Sequence, residues 1–308
     1  MQCCVYRYFS AIGFGLMICA AAIAASPKDP PSAAFLAKRP VERLWPKGAP
    51  GAHGTADADK PSITLWLPAG DREPTAGVVI LPGGGYATLA LDHEGAQIGE
   101  WLNKLGIAGF VVRYRHSGGG YKNPAPLDDA QRAIRLVRSR AREWHVDPNR
   151  IGILGFSAGG HLASTAGTHF DRGRKDARDA VDRASCRPDF MILAYPVISL
   201  VDKHMHRGSL NNLLGEKADM AQRKKFSNEL QVTRDTPPTF LMHTAADDGV
   251  LPQNSLLFFS ALLDARVPAE LHIYEQGVHG VGLAGGLPGV SDWPKACETW
   301  LRVRKILK

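Results

Sequence analysis

An apolar run, Ile151-Gly152-Ile153-Leu154-Gly155, passes through Phe156-Ser157-Ala158-Gly159 straight into a segment that reads as a helix. This G-x-S-x-G pattern between strand and helix constrains the fold more than any other stretch of the chain. A serine hydroxyl projects from a sheet edge only if the backbone turns sharply beneath it, in a strained conformation. Side chains two residues to either side would collide across such a turn, so glycine fits both Gly155 and Gly159. The helix that follows aims its N-terminus at the hydroxyl and favours negative charge developing there. Ser157 is therefore the candidate nucleophile.

Around this unit, apolar strand candidates at 63–67, 78–81, 109–114, 151–155, 190–195, 239–243 and 271–274 alternate with helix candidates at 94–105, 127–144, 158–169, 254–264 and 293–307. Several strands are apolar throughout, as in a parallel sheet covered on both faces. The alternation predicts an α/β fold: a mostly parallel, doubly wound sheet with helices on both faces. Residues 198–238 break the rhythm with Asp202-Lys203-His204-Met205-His206-Arg207, Leu213-Leu214-Gly215 and Arg223-Lys224-Lys225. That stretch is polar and too long for a simple loop, which predicts a cap-like insertion of short helices near the site mouth. A chain of 308 residues, 44% apolar and 22% charged, suits one large domain, assigned to residues 61–308. Residues 26–60, rich in Pro, Ala, Gly and Asp, read as an extension laid over its surface.

Residues 1–25 carry one charge, Arg7, and an apolar stretch that is short for a membrane span. They read as a signal peptide, with a secreted or periplasmic protein and no stable membrane insertion as the expectation. Cys3, Cys4 and Cys19 would leave with it, so Cys186 and Cys297 remain as a disulfide or as two buried thiols. The net charge of +7 would fall only to +6, and the basic residues are dispersed, so nucleic acid is not an expected partner. Nothing in the pattern specifies an oligomeric state.

For a serine in this setting the partners follow along the chain as acid, then histidine. Of eleven histidines, only His272 and His279 follow the acid candidates. His272 lies inside a strand pattern and reads as structural. His279, in Gln276-Gly277-Val278-His279-Gly280, sits on a glycine-flanked loop just past that strand and is the candidate base. His161 and His243 read as structural residues of a helix face and a strand end. After strand 239–243, Asp247 and Asp248 compete for the acid. Adjacent residues point in different directions, so only one can orient His279; the other caps the helix starting near Pro252 or faces water. One donor to an oxyanion would be the N–H of Ala158, and the rest must come from a loop after an earlier strand. His204-x-His206 lacks supporting ligands at zinc-site spacing, so no metal or other cofactor is expected.

The tetrapeptide Gly-Gly-Gly-Tyr occurs twice, ending at Tyr86 and at Tyr121. The first copy follows strand 78–81 and precedes a helix, where such a sheet draws its oxyanion donors. The second follows Arg113 and Arg115 and reads as non-catalytic, at most a rim loop in which Tyr121 could stack on a sugar.

Val79-Ile80-Leu81-Pro82-Gly83-Gly84-Gly85-Tyr86, the 155–159 turn and residues 271–280 together resemble α/β-hydrolase esterases, more narrowly the secreted carbohydrate-esterase branch of acetylxylan and feruloyl-like esterases. Pro126-Leu127-Asp128-Asp129-Ala130, Asn212-Leu213-Leu214-Gly215 and Thr236-Pro237-Pro238-Thr239 also look like that branch. The likeness spans about residues 41–308, with Pro82 where many such esterases carry histidine. It implies the α/β-hydrolase fold, oxyanion donors at Gly84, Gly85 and Ala158, and Gly83 shaping the turn. The spacing His243-x-x-x-Asp247 resembles the H-G-x-x-D arrangement of such hydrolases and favours Asp247. The implied activity is hydrolysis of short-chain esters, acetyl groups on a polysaccharide such as xylan foremost. A lipase would call for an apolar lid, a prolyl-oligopeptidase-type peptidase for a large gating domain, and a non-catalytic binding module for a broken triad.

Overall fold

Alternate residues of one central strand serve two cores. Val79 and Leu81 pack on one side of the sheet, Val78 and Ile80 on the other, and all four are fully buried. A strand with both faces covered has no use for polar side chains, which is why the pattern was apolar rather than alternating. The computed structural model describes residues 39–70 and 73–308. The expected signal peptide lies outside them, as does most of the first half of the expected extension.

Eight strands form one sheet: β1 (Val41–Arg43), β2 (Ser62–Trp66), β3 (Thr75–Leu81), β4 (Ala108–Arg113), β5 (Val146–Phe156), β6 (Phe190–Ala194), β7 (Thr239–Thr244) and β8 (Ala269–Tyr274). Their order is β1-β2-β4-β3-β5-β6-β7-β8. β1 and β2 run antiparallel at one edge, and every pairing from β4 to β8 is parallel. The α-helices of the described residues are α1 (Gln97–Lys104), α2 (Ala125–Ser139), α3 (Ser157–Thr168), α4 (Arg207–Leu214), α5 (Met220–Lys225), α6 (Gln253–Asp264) and α7 (Trp293–Val303). Ile134 and Val137 of α2, Leu162 of α3, and Phe258 and Leu262 of α6 join Val79 and Leu81. Ile98 and Leu102 of α1, and Trp300 and Leu301 of α7, join Val78 and Ile80. Each such fully buried side chain stabilises the fold by about 1.5–3 kcal/mol relative to exposure. The expected doubly wound α/β sheet is therefore the observed one. No helix among the described residues is long and apolar enough to cross a membrane.

Differences from the sequence reading are local. Val146 pairs with Thr75, then pairing resumes with Ile151 opposite Gly77. The residues between, Asp147-Pro148-Asn149-Arg150, bulge from the ladder, so only the inner part of β5 reads as a strand. Val41–Arg43, inside the stretch expected to lie over the surface, is an edge strand, and Leu44 behind it is fully buried. Three residues are too few for a periodic signal. Residues 198–238 hold α4, α5 and a 3-10 turn at Asn228–Leu230. Cys186 and Cys297 are both free and buried.

Asp129 on α2 fastens the N-terminal stretch to the sheet. Its carboxylate takes two bonds of 2.9 Å from the Arg115 guanidinium, another from Arg115 N–H at 3.0 Å and one from Trp45 Nε1 at 2.9 Å. Both charged side chains are fully buried. Removing one partner would leave the other charge buried and unpaired, which costs far more than the pair contributes. Asp129→Ala is expected to lower unfolding free energy by about 3–5 kcal/mol, read from urea denaturation with circular dichroism.

Candidate active site

Sheet register brings the two key loops together. Leu81 of β3 pairs with Gly155 of β5, and two residues beyond each strand position lie Gly83 and Ser157. After β3 the chain crosses to β4 on one side and then to β5 on the other, the kind of switch point at which α/β sheets bind ligands. Contact there is close: a Cβ on Gly83 would stand 2.9 Å from that of Ser157.

Ser157 has φ +52°, left-handed backbone that a serine adopts only under constraint. The flanking glycines supply that constraint. A Cβ on Gly155 would fall 2.2 Å from the Gly159 carbonyl oxygen, and one on Gly159 would fall 2.1 Å from that of Leu81. No larger residue fits either position without moving backbone.

His279 joins serine to acid. Its Nε2 lies 2.8 Å from Ser157 Oγ and its Nδ1 lies 2.7 Å from Asp247 Oδ2. An ionised carboxylate only accepts, so Nδ1 carries the proton and Nε2 is free to accept that of the serine. The other oxygen of Asp247 accepts from Gly249 N–H at 3.0 Å and Val250 N–H at 2.9 Å. Burial alone would push the Asp247 carboxyl up; His243, His279 and the Val250 N–H together outweigh it and hold the group well below the usual carboxylate range. Asp248 is exposed, and Pro252 stands at the N-cap of α6 with no side-chain cap, so the second carboxylate faces water. The structure thus brings Ser157, His279 and Asp247 together and leaves Asp248 out.

The other histidines do different work. His243 bonds Ser255 Oγ at 2.7 Å and the Val250 carbonyl at 2.8 Å, bracing the Asp247 loop from below. His272 bonds Glu270 at 2.7 Å on its own strand. His204 and His206 turn Nδ1 toward Asp202 and Ser209, and among the described residues no group of three or more His, Cys, Asp or Glu could hold a metal ion.

His161 is fully buried between Tyr86 Oη and the Phe226 carbonyl, each 2.8 Å away. Burial lowers its pKa from 6.5 to about 4. Between those values the unfolded chain binds more protons than the folded one, so stability is fully present above about pH 6.5 and drains away as pH falls toward 4. The expected loss from this group is roughly 3 kcal/mol. Urea unfolding at pH 7 and near pH 4 measures it, and His161→Asn should flatten the dependence.

The first Gly-Gly-Gly-Tyr loop stands beside Ser157. Gly83 N–H is already taken, donating to Glu94 Oε2 at 2.7 Å. Gly84 and Gly85 have φ of +126° and +62°, and neither N–H meets an acceptor among the described residues. The N–H of Ala158, in the first turn of α3, has no intrahelical acceptor either. From the cap-like stretch, Asn212 Nδ2 on α4 donates to the Gly85 carbonyl at 2.8 Å. Tyr86 itself has φ +59° and is held through its hydroxyl by His161.

Tyr121, of the second copy, corrects an expectation. It is buried rather than rim-exposed: its ring stacks on His53 with centroids 4.4 Å apart, and its hydroxyl bonds Asp59 and accepts from His53 N–H. A sugar cannot reach that face.

Glu94 was read only as the first residue of a helix. It is buried at the end of a π-helical turn's first half, its Oε1 accepting from Tyr195 Oη at 2.9 Å while Oε2 holds Gly83. Tyr195 Oη in turn accepts from Gly282 N–H at 2.9 Å, and its ring meets His279 edge-on at 5.2 Å. Burial raises the Glu94 carboxyl, with His93, the two hydrogen bonds and His279 opposing that rise.

The BD-FAE family model matches residues 63–262, which include Gly84, Gly85, Ser157 and Asp247. An acetylxylan esterase of Xylanibacter ruminicola is 36% identical over 231 residues, 74% of this chain and 45% of that protein. Endo-1,4-beta-xylanase B of Butyrivibrio fibrisolvens is 34% identical over 231 residues, 74% of this chain and 36% of that protein. The chain thus spans less than half the length of either relative. Among solved structures, an acetyl ester-xyloside bifunctional hydrolase from Caldicellulosiruptor lactoaceticus is similar at TM-score 0.82 and 44% identity, covering 87% of this chain and 97% of that one. The carboxylesterase Cest-2923 from Lactobacillus plantarum is similar at TM-score 0.66 and 25% identity, covering 87% of this chain and 99% of that one.

Proposed function

Because this chain belongs to the BD-FAE family of α/β-hydrolase-fold esterases, we propose that it is a secreted or periplasmic serine esterase that removes short acyl groups, acetyl first, from polysaccharides or oligosaccharides such as xylan. The observation that carries this reading is the relay from Asp247 through His279 to Ser157, with bonds of 2.7 and 2.8 Å. The reading of secretion rests on the composition of residues 1–25. The acetyl and xylan assignment rests on likeness to the acetylxylan esterase of Xylanibacter ruminicola and the acetyl ester-xyloside hydrolase of Caldicellulosiruptor lactoaceticus.

The geometry supports the following chemistry. Ser157 Oγ attacks the ester carbonyl carbon as His279 Nε2 takes its proton. Asp247 keeps the imidazole in the accepting tautomer and stabilises the imidazolium that forms. The carbonyl oxygen becomes an oxyanion, stabilised by the N–H groups of Gly84, Gly85 and Ala158, each such donor supplying about 2.7–4 kcal/mol in comparable sites. His279 returns the proton to the departing sugar oxygen, leaving an acetyl-serine. Water, deprotonated by the same imidazole, then attacks the acyl carbon and releases acetate.

Substrate profiling tests the reading. Acetate release from acetylated xylo-oligosaccharides is compared with ferulate release from feruloylated ones and with cleavage of p-nitrophenyl acetate, butyrate and octanoate. The expected result is fastest turnover of acetyl esters and release of acetate from the saccharide. Hydrolysis of the chromogenic esters without acetate release from any acetylated saccharide would refute the carbohydrate substrate and leave a general carboxylesterase.

A further inference from the structure

Resting on the serine-esterase reading, we infer that Glu94 is a positioning residue of this site, its carboxylate tying the oxyanion loop to the histidine loop so that the N–H groups of Gly84 and Gly85 stay aimed at the oxyanion. A buried carboxylate is costly to keep unless its lone pairs are used. The ion-pair neighbour within reach among the described residues is the half-exposed His93, at 3.8 Å. Hydrogen bonds therefore carry the compensation, and all of them lead into the site. Oε2 takes Gly83 N–H, and Gly83 packs against Ser157. Oε1 takes the Tyr195 hydroxyl, which receives Gly282 N–H three residues beyond His279.

With Glu94 ionised, the directions of these bonds follow from the donors available. Gly83 and Gly282 N–H can only donate, so Tyr195 spends its own proton on Glu94, and both carboxylate oxygens accept. Consuming Gly83 N–H on the inner side fixes the peptide plane from which the next two N–H groups depart. Tyr195, whose backbone has φ +37°, also sets its ring edge-on against the His279 imidazole. Three chain segments far apart in sequence thus have one common anchor, and two of them, the glycine loop and the histidine loop, lead to groups of the proposed chemistry. Replacing one acceptor oxygen with an NH2 group, as glutamine does, sets donor against donor at Gly83 or strands the Tyr195 proton.

The test uses the full chain, with Glu94→Gln and Tyr195→Phe measured beside wild type. Four quantities are read: kcat and KM on p-nitrophenyl acetate, affinity for an alkyl trifluoromethyl ketone that forms a tetrahedral adduct with the serine, and the unfolding temperature. Rates are expressed per folded molecule. The expected result is a fall in kcat of about tenfold to a hundredfold, less than deletion of an oxyanion donor outright. KM should change little, and ketone affinity should fall by the same factor as kcat. Tyr195→Phe keeps the Gly83 bond and cuts only the tie to Gly282, so it should show a smaller loss of the same kind. If Glu94→Gln does not fold, Tyr195→Phe alone decides. Unchanged kcat and ketone affinity with a lowered unfolding temperature would make Glu94 a structural group and overturn the inference while leaving the esterase reading intact. An inert wild type would overturn both.

Discussion

Ser157→Ala is expected to lower kcat for p-nitrophenyl acetate by on the order of 10^6, a loss of about 8 kcal/mol of transition-state stabilisation. The fold should survive. Alanine keeps the Cβ that already stands against Gly83, and it meets the φ of +52° with no more strain than serine does. The groups around the missing hydroxyl remain, so a residual rate above that of water is expected from the oxyanion donors and from binding. The unfolding temperature should be that of wild type, which separates loss of chemistry from loss of structure. Turnover near the wild-type rate would mean that the serine is not the nucleophile.

Asp247→Asn should cost on the order of 10^4 in kcat, through the tautomer of His279 rather than through its position. Gly249 and Val250 N–H fix the oxygen of the new amide on their side. The NH2 group then faces Nδ1 of His279, which must accept instead of donate, so Nε2 carries the ring proton and cannot take that of Ser157. Asp248→Asn is the matched control: its side chain faces water, and kcat should stay within a few-fold of wild type. The pair of variants, assayed from pH 6 to 9, distinguishes the two adjacent carboxylates directly. Equal losses from both would contradict the assignment of Asp247.

Most of the candidate site's geometry is legible because steric rules wrote it into short stretches. Gly155 and Gly159 are glycines because carbonyl oxygens stand where their Cβ atoms would be. That made the turn at Ser157 readable without any knowledge of distant residues. His279 was legible from its place on a glycine-flanked loop just past a strand. Asp247 was less so: its neighbour offered the same chemistry, and the decision rested on a spacing resembling that of other hydrolases.

What stayed hidden depends on distant partners. Glu94 meets Gly83 11 positions away but Tyr195 101 positions away, and a carboxylate in the first turn of a helix has an ordinary local explanation. The small residues Gly95 and Ala96 directly after it, which the structure buries, are the available signal. Tyr121 was misread for the same reason. Its partners Asp59 and His53 come from 62 and 68 positions upstream, in a stretch with no periodicity to announce that it packs. The edge strand at Val41–Arg43 was too short to show a pattern and exists because β2 offers it an unpaired edge.

The central claim, that Ser157 activated by His279 and Asp247 is the nucleophile, is tested most directly by labelling with diethyl p-nitrophenyl phosphate and mapping the adduct by peptide mass spectrometry. One phosphoryl group per chain is expected, on Ser157, gained in step with loss of ester hydrolysis, with strongly slowed labelling in Asp247→Asn. Complete inactivation with the adduct on another residue, or undiminished hydrolysis by a chain fully labelled at Ser157, would contradict it.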